Sequence, residues 1–103
     1  MLSFIIPAWN EEAILGRTLT ALEGAAQHLS IPHETIVVDD GSTDHTADIA
    51  REQGATVLSV NHRQMAGTRN AGAKAARGDV LIFVDAGTII SEGVVGAALS
   101  AVR

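Results

Sequence analysis

Four short apolar runs punctuate the chain, at residues 2–6, 35–38, 56–60 and 80–84. They run apolar without clean alternation, and the last three are rich in Val and Ile. This predicts strands covered on both faces. Between the first two, Leu15, Leu19, Leu22, Ala26 and Leu29 fall on one helical face, predicting a helix over residues 11–29. Asn10 is its expected N-cap, with Glu11 and Glu12 at the positive end of the helix dipole. A second helix is expected over 43–53, capped by Ser42 or Thr43 and stopped by Gly54. A third is expected over 64–77, closed by Gly78, and a fourth begins over 92–102. Alternating strands and helices predict an α/β fold: a Rossmann-like, mostly parallel sheet with helices on both faces and right-handed crossovers. No strand follows the last helix, so residues 1–103 are expected to form half of a larger α/β domain.

Composition narrows the reading. The chain has 103 residues, 47% hydrophobic, with three aromatics, Phe4, Trp9 and Phe83. Aliphatic side chains must therefore build the core. Seven Lys and Arg against twelve Asp and Glu give a net charge of -5, which argues against a nucleic-acid backbone as partner. The absence of cysteine excludes disulfides, thiolate catalysis and zinc-thiolate sites. The apolar start lacks a basic n-region and meets Pro7 and Asn10-Glu11-Glu12 too soon for a signal peptide. No apolar stretch approaches the roughly 20 residues that span a bilayer. A cytoplasmic location, with no membrane segment in this chain, is the expectation.

Ligands of open parallel sheets bind beyond the carboxyl ends of the strands, where strand order reverses. Here those ends read Pro7-Ala8-Trp9-Asn10, Asp39-Asp40-Gly41-Ser42, Asn61-His62-Arg63 and Asp85-Ala86-Gly87-Thr88. Each carries polar or ligand-competent groups, whereas the opposite loops look like plain connectors. If the fourth strand returns beside the first, Trp9 and Asp85 line one crevice and Asp39 and Asp40 flank it. A dinucleotide-binding turn is excluded, because Pro7 stands where its first glycines belong and Glu11 and Glu12 would repel a pyrophosphate. A Walker A loop is absent. A response-regulator receiver places its acidic pair after the first strand, and this pair follows the second.

Together these segments resemble family 2 glycosyltransferases of the GT-A fold. Residues 4–12, Phe-Ile-Ile-Pro-Ala-Trp-Asn-Glu-Glu, are similar to that family's I-I-P-A-Y-N-E-E opening. Residues 36–44 reproduce V-V-D-D-G-S-T-D, residues 67–72 resemble G-A-R-N-x-G, and residues 78–88 resemble G-D-x-I-L-F-L-D-A-D-T. The resemblance implies the nucleotide-sugar-binding half of the fold, with the acceptor half and its general base outside this chain. The reaction it implies is inverting transfer of a sugar from a nucleoside-diphosphate donor, expected to be UDP-linked, to an acceptor hydroxyl. The alternative is a truncated or degenerate, non-catalytic nucleotide-binding or interaction module.

Site roles follow from the same resemblance. Asp39 and Asp40 would contact the base, since a carboxylate can accept the imide N–H of uracil. Turn chemistry within Asp-Gly-Ser-Thr-Asp is the plainer alternative, and Gly41 would supply a positive φ or close approach. Trp9 would stack on the base or lid the first helix. Pro7 and Ala8 would offer backbone groups to base or ribose. Arg69 would pair with Asp40 or help hold the diphosphate, with Arg63 a weaker phosphate candidate. Asn70 and Gly72 would serve packing and backbone bonding. Asp85 would face the ribose and an Mg²⁺ or Mn²⁺ ion. The second acid of the family's D-x-D is replaced here by Gly87, leaving the ion to Asp85, waters and phosphate oxygens, or to a residue outside the chain. The four histidines show no ligand spacing. An apolar face from Val94, Val95, Ala98, Leu99 and Val102, with an open sheet edge, suggests a homodimer.

Overall fold

The computed structural model describes residues 1–61 and 65–87. Four parallel strands, β1 (Leu2–Ala8), β2 (His33–Asp40), β3 (Thr56–Val60) and β4 (Val80–Phe83), form one sheet in the order β3-β2-β1-β4. Three helices join them: α1 (Leu15–His28), α2 (Thr46–Glu52) and α3 (Met65–Ala75). The fourth strand does return beside the first, so the reversal of strand order lies between β1 and β4 as expected. The expected helix over 92–102 and the apolar face on it lie outside the described residues, as do His62, Arg63 and Thr88.

Strand pleating sorts the core into two layers. On one face, Leu2, Phe4, Ile6 and Ala8 of β1 and Val37 of β2 meet Leu15, Leu19, Leu22, Ala25 and Ala26 of α1 and Ala50 of α2. On the other, Ile5, Ile36 and Val38 meet Ala71 and Ala73 of α3 and the following Ala76. The small residues of α3 are what let it lie close to the sheet. At Gly72 an added Cβ would stand 2.4 Å from Ile5 Cγ2 and 2.9 Å from Val38 Cγ2, so only glycine fits there.

Burial on both faces holds for the central strands and fails at the edges. β1 and the second half of β2 are buried throughout, apart from Pro7, which is half-buried. β3 has two exposed positions, and β4 alternates, with Leu81 and Phe83 each 39% exposed on the α3 side. Edge strands have one neighbour, so their faces are less fully covered than those of β1 and β2.

Helix starts and stops differ from the pattern in instructive ways. α1 begins at Leu15, four residues late, because residues 11–14 form a turn in which the Leu15 N–H donates to the Glu11 carbonyl at 2.9 Å. Asn10 is therefore no cap; it sits at φ 50° and bonds elsewhere. α1 stops before Leu29, which is 37% exposed rather than on the core face. The next residue, Ser30, takes φ 54°. Ser30 N–H donates to Gln27 O at 3.0 Å and Ile31 N–H to Ala26 O at 3.1 Å, a Schellman closure on a residue that is not glycine. α2 ends in the same closure on Gly54, at φ 82°. Gly78 is not a helix stop. A Cβ there would meet Ser3 Oγ at 2.5 Å and the Met1 carbonyl oxygen at 2.6 Å, so it marks where the chain squeezes past the start of β1. There the Gly78 N–H donates to Ser3 Oγ and Ser3 Oγ–H to Glu34 at 2.5 Å. The Ser3 hydroxyl and then the Arg77 N–H hold the Glu34 carboxyl below its ordinary pKa.

Candidate functional site

Among the described residues, the polar ends of β1, β2 and β4 fall together at the carboxyl edge of the sheet. Pairing register sets Ala8 of β1 directly beside Asp39 of β2. Asp39 and Asp40, being successive strand residues, project to opposite faces. Both are buried, with 7% and 8% exposure. Asp39 Oδ1 accepts the Ser42 N–H at 3.2 Å, so part of its role is the turn chemistry weighed as the plainer alternative. Gly41 takes φ 72° inside that turn, the left-handed conformation that favours glycine. Asp40 lies on the α3 side, where the buried Thr68 hydroxyl donates to its Oδ2 at 3.2 Å. Thr68 stands where the family pattern has alanine, and its hydroxyl was the available sign that α3 reaches the acidic pair.

Arg69 follows Thr68. Its guanidinium carbon sits 5.2 Å from the centre of the Phe83 ring, within cation–π range. The arginine thus lies over the end of β4, at the edge where the crevice was expected. Trp9 leaves β1 half-exposed, at 51%. Asp85, also exposed, follows the neighbouring β4, and its Oδ1 accepts the Gly87 N–H at 3.0 Å. The Thr18 hydroxyl of α1 donates to the Ala86 carbonyl, which ties this loop to the α1 side. The structure thus brings Pro7, Ala8, Trp9, Asp39, Asp40, Arg69 and Asp85 to one end of the strands β1, β2 and β4, with α3 supplying Arg69.

A clasp of hydrogen bonds joins the loop after β1 to the loop after β2. Asn10 N–H donates to Ser42 Oγ at 2.9 Å, and Thr43 N–H donates back to Asn10 Oδ1 at 2.8 Å. Glu11 N–H donates to Thr46 Oγ1 at 2.9 Å and Glu12 N–H to Asp44 Oδ2 at 3.2 Å. His45 N–H donates to Glu12 Oε2 at 3.1 Å. Glu12 therefore serves the start of α2, and α1 has no acid in its first turn. Burial pushes the Asp44 carboxyl up, but the Thr46 hydroxyl and N–H and the Glu12 N–H outweigh it and hold the group ionised below its ordinary range. Sequence spacing could not show this clasp, since its partners are more than thirty residues apart.

Among the described residues no helix is long and apolar enough to cross a membrane, and no three His, Asp or Glu side chains are grouped to hold a metal ion.

The family model described as glycosyl transferase family 2 matches residues 3–102. An undecaprenyl-phosphate 4-deoxy-4-formamido-L-arabinose transferase of Pseudomonas fluorescens is 39% identical over 82% of this chain, which spans 27% of that protein. A validoxylamine A glucosyltransferase of Streptomyces hygroscopicus subsp. limoneus is 36% identical over 98% of this chain and 23% of its own length. The crystal structure of S. aureus TarS in complex with UDP-GlcNAc superposes with a TM-score of 0.78 at 30% identity, over 96% of this chain and 30% of that one. The chain thus spans between a fifth and a third of the length of these three proteins. With its four-stranded parallel sheet and its two acidic strand ends, the chain belongs to glycosyl transferase family 2.

Proposed function

We propose that this chain is the nucleotide-sugar-binding part of an inverting glycosyltransferase whose donor is a UDP-linked sugar. The observation that carries the reading is the buried pair Asp39 and Asp40 at the end of β2, with Asp39 paired to Ala8, the residue before Trp9, and Asp40 bonded to Thr68, the α3 residue before Arg69. A buried carboxylate is costly unless hydrogen-bonded, and here Asp39 accepts the Ser42 N–H and Asp40 accepts the Thr68 hydroxyl, as acceptor-only groups do when ionised. Uracil offers one imide N–H to such an acceptor. Trp9 offers a flat face for the base, and Arg69 offers a guanidinium for phosphate oxygens.

In this reading the acceptor hydroxyl attacks the anomeric carbon as the bond to the nucleoside diphosphate breaks, and the diphosphate leaves from the opposite face. The described residues fix the nucleotide, so their contribution is orientation of the donor and pairing of charge with the leaving group. A UDP-linked donor is supported by S. aureus TarS, a similar structure solved in complex with UDP-GlcNAc.

Calorimetric titration with UDP and GDP tests the proposal. UDP is expected to bind more tightly than GDP, and Asp40→Ala to weaken UDP binding by about 1–3 kcal/mol, the cost of a lost buried hydrogen bond. No heat with either nucleotide at millimolar concentration would contradict it.

A further inference from the structure

We infer that the loop after β4 does not recruit a divalent cation in this chain, and that a bound diphosphate is met there without an ion held by that loop. The inference rests on the nucleotide-binding reading above for its diphosphate part only. Resemblance to the family implies an Mg²⁺ or Mn²⁺ ion held by two acids two positions apart, and the residues present do not fit one. Among the described residues Asp85 supplies the loop's single carboxylate, whose Oδ1 accepts the Gly87 N–H at 3.0 Å. Gly87 supplies no side chain. Asp39 and Asp40 belong to a different strand end, that of β2, where Asp39 Oδ1 accepts the Ser42 N–H and Asp40 Oδ2 accepts the Thr68 hydroxyl. A hard dication needs several oxygen ligands, and its affinity follows the number of charged ones.

The glycine is not demanded by the backbone. Gly87 is not among the glycines with positive φ, which are Gly41 and Gly54. A Cβ built on it would stand 3.7 Å from Asp85 Oδ1 and 3.3 Å from Ile14 Cδ1, the flexible tip of a side chain. An acidic side chain at this position would therefore start beside the Asp85 carboxylate, in a slot that the loop already shapes.

Mn²⁺ itself is the probe, followed by the electron paramagnetic resonance signal of the free ion. The unmodified chain is expected to show no saturable uptake, and its UDP affinity to agree within about twofold between Mn²⁺ and a chelator. Gly87→Asp is expected to tighten Mn²⁺ binding by about tenfold, as added ligand charge does. It is also expected to add a Mn²⁺-dependent gain for UDP that uridine does not show. Both gains should vanish in Gly87→Asp combined with Asp85→Ala, and Gly87→Asn, of equal size but neutral, should not reproduce them. Thermal melting of each variant checks that it is folded; should Gly87→Asp unfold the chain, the unmodified protein's own response to Mn²⁺ decides. Saturable uptake by the unmodified chain that Asp85→Ala abolishes, or UDP binding strengthened about tenfold by Mn²⁺, would overturn the inference. If no protein binds UDP but Gly87→Asp still gains Mn²⁺, the loop inference stands and the nucleotide reading fails.

Discussion

Asn10 Oδ1 accepts the backbone N–H of Thr43 at 2.8 Å, joining two loops 33 positions apart in sequence. Asn10 holds a left-handed φ of 50° to make this bond, and asparagine is among the few side chains that tolerate it. Its own N–H donates to Ser42 Oγ, and Ser42 N–H donates to Asp39 Oδ1. One residue after Trp9 thus steadies the turn that orients the Asp39 carboxylate.

Asn10→Ala is expected to cost about 1–3 kcal/mol, from the lost hydrogen bond and the strain of alanine in the left-handed region. Asn10→Gly keeps the backbone conformation and loses only the acceptor, so its cost should be smaller. Chemical denaturation of the two variants measures the difference.

Ser30 adopts a positive φ at the end of α1, where the same closure on α2 uses Gly54. Ser30→Gly is expected to stabilise the chain by about 1 kcal/mol, read as a higher midpoint in urea at unchanged slope.

Gly72 and Gly24 make a matched pair. Gly72→Ala would press a methyl into Ile5 and Val38, costing about 1–3 kcal/mol by overpacking. It would also lift α3, and so pull the Thr68 hydroxyl from Asp40 and weaken UDP binding. Gly24 lies in α1 with open space around its Cα, so Gly24→Ala is expected to stabilise by about 1 kcal/mol through helix propensity. Melting temperatures moving in opposite directions would verify both.

His33 Nε2 lies 2.6 Å from Glu23 Oε2, and its Nδ1 lies 2.9 Å from the Ile31 carbonyl. Burial pushes the imidazole pKa down, but the Glu23 carboxylate and the Ile31 carbonyl outweigh it, so the pKa is raised above 6.5. The folded state therefore favours protonated His33. Its stabilising contribution is full below pH 6.5 and is lost as pH rises through the raised value. Stability measured from pH 6 to 9 should fall for the unmodified chain, and that fall should shrink in His33→Gln.

Much of the architecture was legible from local pattern. The two-sided apolar runs located the four strands, and the expected return of the fourth strand beside the first matches the reversal between β1 and β4. Edge exposure of β4 was not legible, because the residues of Leu81 and Phe83 read the same whether or not a helix covers them. The start of α1 was mistaken for a similar reason. Asn-Glu-Glu before an apolar face is a good local helix start, but Asn10, Glu11 and Glu12 bond instead to Ser42, Thr43, Asp44, His45 and Thr46. Long-range hydrogen bonds override local propensity, and no periodicity records them. The acidic pair was legible as chemistry, whereas its division between two faces, and Thr68 as a donor to Asp40, needed the register of β2 and the closeness of α3.

The most direct test of the account is a two-dimensional amide NMR titration of the chain with UDP. The account predicts shifts at the Trp9 indole and at the amides of Asp39 to Ser42, Thr68, Arg69 and Asp85 to Gly87, all at the carboxyl edge. Signals of Glu23, His33 and Gly54, at the opposite edge, should stay in place. An unchanged spectrum at millimolar UDP, or shifts gathered around His33 and Gly54 instead, would contradict it.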